Sequence, residues 1–189
     1  MDDPKLVKAA EILKQGGVVI APTEGLYGIS CLASNDRAVE RVIKVKERSS
    51  AKGLIVAVSS FDMAQDLIDF SKLSSENIDF MLSMWPGPHT FIVPAAKSVS
   101  SLVTGGRDNI ALRFTAFSTL QRLCDLSGGP LISSSANISG YPPLMTLHEL
   151  NAVFGGKVDY ILDLPCQGLK GPSSIHDAIT GKLLRKGGV

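Results

Sequence analysis

The chain has 189 residues, 44% of them hydrophobic and 20% charged, and its 19 Lys and Arg nearly balance its 18 Asp and Glu. That length and apolar share exclude global disorder and any dependence on disulfide or metal staples, since such a chain buries a substantial core. A net charge of +1 excludes a uniformly basic nucleic-acid binder but leaves local charged patches open.

Asp3-Pro4 predicts an N-cap followed by proline in the first helical turn, with Leu6, Ala10 and Leu13 on one face and Gly16-Gly17 as the stop. Met1 to Lys5 lack a basic segment followed by an apolar one, so no secretory signal is expected. Val18 to Ala21 reads as a buried strand halted by Pro22, and Leu26 to Cys31 as a second strand. Asn35-Asp36 caps a helix carrying Ala38, Val39, Val42, Ile43 and Val45. Leu54 to Val58 is continuously apolar, the pattern of a strand covered on both faces. Ser60 opens a helix expected through Phe70, and Ser74 another through Met84.

Thr90 to Val93 and Ile110 to Phe114 read as strands, followed by a helix from Phe117 to Ser127 and a short strand at Leu131-Ile132. Thr146 and Glu149 form a capping box for a helix to Phe154. Tyr160 to Leu162 is a strand, and Ile175 to Arg185 a hairpin around Thr180-Gly181. Strands and helices interleave without repeat or linker. An α/β fold with a mixed sheet is therefore expected, as a single domain over residues 1–189. The stretch Leu126 to Leu147 is uncharged but rich in Gly, Pro, Ser and Asn, which excludes it as a membrane span. Cys31, Cys124 and Cys166 form no CxxC pair and suit a reducing, cytoplasmic setting.

Charge is unevenly spread. Asp36 to Lys52 carries six bases and three acids, Asp62 to Asp79 five acids and one base, and Lys170 onward four bases and one acid. No GxxxxGK[ST] loop, GxGxxG turn or GxSxG elbow occurs, and His148-Glu149 is not completed to HExxH because Ala152 stands where the second histidine belongs. His89, His148 and His176 are too scattered to suggest a metal site. An enzyme built from this inventory works with Lys, Arg, Ser, Thr, Asn and backbone amides.

Four polar clusters fall at turns. Pro22-Thr23-Glu24-Gly25-Leu26-Tyr27-Gly28 follows a buried strand, where α/β proteins tend to place ligands. Lys46-Glu47-Arg48, with Lys52 beyond, ends a helix; these cations either complement the helix dipole or hold phosphate oxygens. Trp85-Pro86-Gly87-Pro88-His89-Thr90 is a stiff turn, with Trp85 read as a core or platform residue. Ser133-Ser134-Ser135-Ala136-Asn137-Ile138-Ser139-Gly140 offers a dense set of neutral donors and acceptors.

Taken together and in order, these clusters resemble the threonylcarbamoyl-AMP synthase family, the YrdC-like domain, in its PTE-x-x-YG loop, KxR pair, WPGPxT turn and SxSANxSG loop. Ile110-Ala111-Leu112-Arg113 and the closing Leu183-Leu184-Arg185 extend the match over nearly the whole chain. The length suits the short bacterial form. The resemblance implies a twisted open mixed sheet with flanking helices and a positively charged concave face. It also implies synthesis of threonylcarbamoyl-adenylate from L-threonine, bicarbonate or CO2, and ATP, with release of pyrophosphate. Other proteins of the pathway would move the threonylcarbamoyl group to the adenosine beside the anticodon of tRNAs reading A-starting codons. The basic segments would suit weak tRNA or double-stranded RNA binding.

Within that resemblance, Lys46 and Arg48 are expected as catalytic residues on the triphosphate, assisted by Lys52 and Arg185. Ser135 and Asn137 would hold the nucleotide. Thr23, Arg113, Ser133 and Ser173 would recognise threonine or its carbamate, and Mg2+ would ride on the ATP phosphates without a protein cage. Gly25 replaces a threonine common in the first motif, Ala57 a histidine, Thr115 and Phe117 a proline and a histidine, and His89 a leucine. Two other readings compete. One is a non-catalytic RNA-binding module, whose affinity would fall steeply with salt. The other is a carbamoyl-adenylate domain like those of hydrogenase maturation proteins, although the accompanying segments of those larger chains are missing here.

Overall fold

The computed structural model describes residues 2–188; Met1 and Val189, the ends of the expected domain and part of the N-terminal segment read for a signal, lie outside the described residues. Helix α1 (Pro4–Lys14) begins as its sequence dictates, with the Asp3 carboxylate accepting the Lys5 N–H at 2.7 Å. It leads into strand β1 (Val19–Pro22), which forms an antiparallel hairpin with β2 (Tyr27–Ser30). Strand β7 (Ser134–Ser135) adds antiparallel to β2 and strand β8 (Tyr160–Ile161) parallel to β1, giving a four-stranded sheet ordered β7-β2-β1-β8.

A second, six-stranded sheet holds β3 (Ile55–Val58), β4 (His89–Pro94), β5 (Asn109–Phe114), β6 (Leu131–Ile132), β9 (Ser174–Asp177) and β10 (Leu183–Arg185). Its order is β10-β9-β4-β5-β3-β6, with β3 parallel to β5 and β4 parallel to β9. Both sheets are mixed, as the interleaved pattern predicts, but the strands are divided between two sheets.

The continuous apolar runs are explained by two-sided burial. In β3, Val56 and Val58 enter one hydrophobic cluster and Ala57 the other. In β1, Ile20 faces the first cluster while Val19 and Ala21 face the second, beneath α1 and helix α6 (Ser118–Ser127). A fully buried Val or Leu is worth about 1.5–3 kcal/mol, so these shared strands hold the two layers together. Helix α6 stops at Gly128, whose φ of +80° is the left-handed cap that glycine adopts without steric cost.

Helix α2 (Asp36–Val45), capped by Asn35, and helix α7 (Leu147–Phe154), with its Thr146–Glu149 capping box, fall where expected. Helix α3 (Phe61–Gln65) starts at the Ser60 cap but does not reach Phe70. Tertiary pairing overrides the helical pattern: Ile68 bridges to Ala95, Asp69 N–H donates to the Pro94 carbonyl at 2.9 Å, and Phe70–Lys72 tightens into a 3-10 turn. Helix α4 (Ser75–Leu82) ends two residues before Met84. Helix α5 (Ser101–Thr104) and strand β7 are too short to carry a periodic signal. Among the described residues, no helix is long and apolar enough to cross a membrane.

The strand alternation of the six-stranded sheet decides where a ligand can go. Phe91, Val93, Ile110 and Leu112 point into the main core. Their alternates Ile92, Ala111, Arg113 and Ile175 line an open cavity on the opposite face. The β1–β2 turn and the segment Ser133–Ser135 form its remaining wall.

Candidate active site

The cavity measures about 270 Å³ and is lined by Arg48, Arg107, Arg113 and Arg185, with Thr23, Thr104 and the hydroxyls of Ser133, Ser134, Ser135 and Ser173 between them. No Asp or Glu lines it. Of the site residues expected from sequence, the structure brings together Thr23, Arg48, Arg113, Ser133, Ser135, Ser173 and Arg185.

The turn after α2 separates the roles of Lys46 and Arg48. Lys46 is the C-cap, and Glu47 takes a left-handed conformation at φ +50°, unusual for a residue with a side chain. Glu47 N–H donates to the Lys44 carbonyl at 3.0 Å and Arg48 N–H to the Ile43 carbonyl at 3.0 Å, the two bonds of a Schellman motif. This reversal leaves Lys46 facing inward and carries Arg48 to the cavity.

Lys46 is only 1% exposed, and its ammonium donates to the carbonyls of Ser135 and Asn137 and to Asn137 Oδ1. An ammonium has three donors, and the Ser-rich loop accepts all three. Lys46 therefore does not line the cavity. It supports the Ser-rich loop from beneath. Burial, and then the charge of Arg48, push its pKa down to about 8.

Asn137 is likewise engaged internally. Its Oδ1 also accepts the Ser135 hydroxyl at 2.7 Å, and its amide donates to the carbonyls of Ile138 and Tyr141. It lies outside the cavity lining. The Lys52 side chain is exposed and outside the lining. Its carbonyl, rather than its ammonium, serves the site by accepting Arg48 Nε at 3.4 Å, beside the 2.8 Å bond from Arg48 Nη2 to the Gly53 carbonyl.

The cavity charges pair off. The Arg48 guanidinium is destabilised first by burial and then by Arg107, and that of Arg185 first by burial and then by Arg113. Arg113 is 5% exposed, donates Nη2 to Ser133 Oγ at 2.9 Å and lies 3.5 Å through Nη1 from Glu24 Oε2. Its Nε has no partner. The Thr115 hydroxyl donates to Glu24 Oε1 at 2.6 Å. Arg185 Nη2 donates to the Ser173 carbonyl at 2.8 Å, and the Ser173 and Thr90 hydroxyls share a 2.8 Å bond. The Thr23 hydroxyl donates to Leu26 O at 2.6 Å, closing its own turn and leaving only its lone pairs for a ligand.

Sequence reasoning missed Arg107, Glu24 and Thr115. Arg107 follows Gly105-Gly106, both at positive φ, and that glycine pair was the available signal for a chain reversal at a site. Glu24 lay in a quoted motif without a role. Gly25, where the resemblance offers threonine, lies against the segment before Ser173: a Cβ there would meet the Gly171 carbonyl oxygen at 2.2 Å and that of Leu169 at 2.8 Å. Trp85 is a core residue, 6% exposed, edge-on to Phe91 and donating to the His89 carbonyl at 2.8 Å.

Residues 11–187 match the Sua5–YciO–YrdC family model, described as telomere recombination. The chain is 40% identical over 182 residues to the threonylcarbamoyl-AMP synthase of Xanthomonas campestris pv. campestris (strain B100), covering 96% of this chain and 97% of that one. Sua5 from P. abyssi, solved in complex with L-threonine, superposes with a TM-score of 0.89 at 31% identity over 99% of this chain. This chain spans only 56% of that larger protein. E. coli YciO, at 21% identity and a TM-score of 0.85 over 98% of this chain and 91% of its own, shares the fold.

Proposed function

This chain belongs to the Sua5–YciO–YrdC family, and we propose that it is a threonylcarbamoyl-AMP synthase acting as a single domain. It joins L-threonine, CO2 from bicarbonate, and ATP into threonylcarbamoyl-adenylate and pyrophosphate. The observation that carries this reading is one cavity holding Arg48, Arg107, Arg113 and Arg185 among serine and threonine hydroxyls, without a lining carboxylate. Such a site takes an elongated polyanion and a second, smaller anion together.

The chemistry needs no protein nucleophile. The threonine amine, once unprotonated, adds to CO2 and loses a proton to give a carbamate. A carbamate oxygen then attacks the α-phosphorus of ATP, and the bond to pyrophosphate breaks. Rate comes from holding the two reactants in contact and from fixed cations facing the charge that develops on the phosphates. Arg48 and Arg107 form the triphosphate end. Arg113 and Arg185, with Ser133 and Ser173, form the threonine end. Ser135 stands on the loop between, and Thr23 contributes acceptors from the first turn. Lys46 and Asn137 build that loop. Mg2+ enters on the ATP phosphates, since no acidic side chain lines the cavity to hold it separately.

On this reading the adenylate is consumed in the cytoplasm by other proteins of the tRNA threonylcarbamoyl-transfer pathway, and the cavity arginines would favour weak contact with tRNA. Pyrophosphate release by the purified chain with ATP and bicarbonate, with and without L-threonine, tests the reading. Threonine-dependent release is expected, and its absence from folded protein would sink it.

A further inference from the structure

The two cationic ends of the cavity differ in net charge, and one buried carboxylate makes the difference. At the Arg48–Arg107 end, neither guanidinium pairs with a carboxylate among the described residues. At the other, Glu24 is 3% exposed and pairs with Arg113, so Arg113 and Arg185 against Glu24 leave a single positive charge. Glu24 is not a lining residue; it acts from behind Arg113. Its orientation is set by the buried Thr115 hydroxyl, which holds Oε1 at 2.6 Å, while Oε2 lies 3.5 Å from Arg113 Nη1 and accepts no hydrogen bond.

We propose that Glu24, held by Thr115, is a positioning and charge-setting residue that makes the Arg113–Arg185 end a monoanion subsite, selecting a carboxylate and rejecting phosphate. Two unopposed arginines would favour a phosphate group, with its greater charge and three acceptor oxygens. With the Glu24 carboxylate behind Arg113, a singly charged carboxylate ligand suits the subsite, and a multiply charged phosphate meets added repulsion. The consequence is directional: the triphosphate cannot bind reversed, with its γ end in the amino-acid subsite. The assignment of the ends rests on the function proposed above.

The test compares the full chain with Glu24→Gln and Thr115→Val, using inorganic phosphate as the probe. In the wild type, phosphate should compete with ATP and not with threonine. Glu24→Gln keeps the shape and removes the charge. Phosphate should become competitive with threonine, and the ratio of its inhibition constant to the KM for threonine should fall about tenfold, the scale of one charge-assisted interaction. Thr115→Val keeps the charge and frees the carboxylate: KM for threonine should rise roughly threefold, the scale of one neutral hydrogen bond, with phosphate still excluded. A Glu24→Gln enzyme with wild-type kinetics, or one with raised KM and no phosphate competition, overturns the proposal, the latter by reducing Glu24 to a structural role. If Glu24→Gln does not fold, an unchanged threonine KM in Thr115→Val overturns it equally. Wild-type protein without threonine-dependent turnover defeats the functional reading instead. Calorimetric titration of phosphate into wild type and Glu24→Gln then still decides the charge effect, because it needs no turnover.

Discussion

The ammonium of Lys46 lies 3.0 Å from the carbonyl oxygen of Asn137 and 3.1 Å from its side-chain Oδ1, so a buried cation at the end of one helix organises a loop 91 residues further along the chain. The Ser139 N–H returns the contact, donating to the Lys46 carbonyl at 2.8 Å. The loop that presents Ser133 and Ser135 to the cavity is thus assembled around one side chain.

Lys46→Met should leave these carbonyls without a donor, destabilising the fold by about 1–3 kcal/mol and abolishing turnover with faster amide exchange over 133–139. Its pKa near 8 gives a second readout. Above about pH 8 the folded state loses the proton, the loop loses a donor, and kcat/KM should fall. Stability moves the other way: between 8 and the ordinary 10.5, the unfolded chain binds more protons than the folded one, so this group's contribution rises with pH. The difference in thermal midpoint between wild type and Lys46→Met should therefore widen across that window. A constant difference would contradict the assignment.

Arg107→Ala should raise KM for ATP by at least about tenfold, the scale of a charge-assisted phosphate contact, with KM for threonine unchanged and the fold intact. Arg48→Ala should do the same with a further loss of stability near 1 kcal/mol, because its 2.8 Å bond to the Gly53 carbonyl is part-buried, whereas the 3.1 Å bond from Arg107 to the Ala51 carbonyl is exposed. Initial-rate kinetics with each substrate varied in turn separate the two ends. A threonine effect from Arg107→Ala would mean that the ends are assigned wrongly.

Gly25→Thr restores the residue that the resemblance offers, yet it should harm the protein. Its Cβ would overlap the Gly171 and Leu169 carbonyls, which are themselves fixed where Leu169 N–H donates to the Glu24 carbonyl at 3.0 Å. Overpacking of this kind costs about 1–3 kcal/mol, which lowers the thermal midpoint by roughly 2–4 °C per kcal/mol in a chain of this size. Differential scanning calorimetry reads it directly; an unchanged midpoint would show that residues 169–171 yield freely.

His89 and His176 form the site of a pH effect. His89 Nδ1 lies 3.3 Å from His176 Nε2, so one nitrogen must carry the hydrogen and the other accept it. His176 stacks on Phe91 and meets Phe80 edge-on. Burial holds both imidazoles below the ordinary 6.5, and His89 adds to the effect on His176. As pH falls below 6.5 the unfolded chain takes up protons first, so stability drops with acidification until the folded pair also titrates. His176→Val should flatten the fall in thermal midpoint between about pH 7 and pH 5, and an equally steep fall in the variant would assign the effect elsewhere.

The elements readable from sequence are those whose signals are local. Asn35, Ser60, Ser74 and Thr146 each cap the helix they announce, and Leu54 to Val58 is apolar throughout because α-helices and sheet cover both faces of β3. Helix α3 was legible only at its start, because its end is decided by pairing with Pro94 and Ala95, about thirty residues away. In the site, Arg48, Arg113, Ser133 and Arg185 were readable from motif type. The inward turn of Lys46 was not, since it depends on a left-handed Glu47 and on carbonyls from a distant loop. Arg107 belongs to no motif and reaches the cavity only because the glycine pair before it turns the chain.

Strand β6 pairs with β3 in the six-stranded sheet, and two residues later β7 pairs with β2 in the four-stranded one, with Ser133 between them donating its N–H to the Ile55 carbonyl at 2.8 Å. The serine segment is therefore a seam sewn into both fabrics at once. During folding, a species with only one sheet formed has no cavity, however native its helices. A ligand held by both walls of the cavity would therefore report that both sheets are formed.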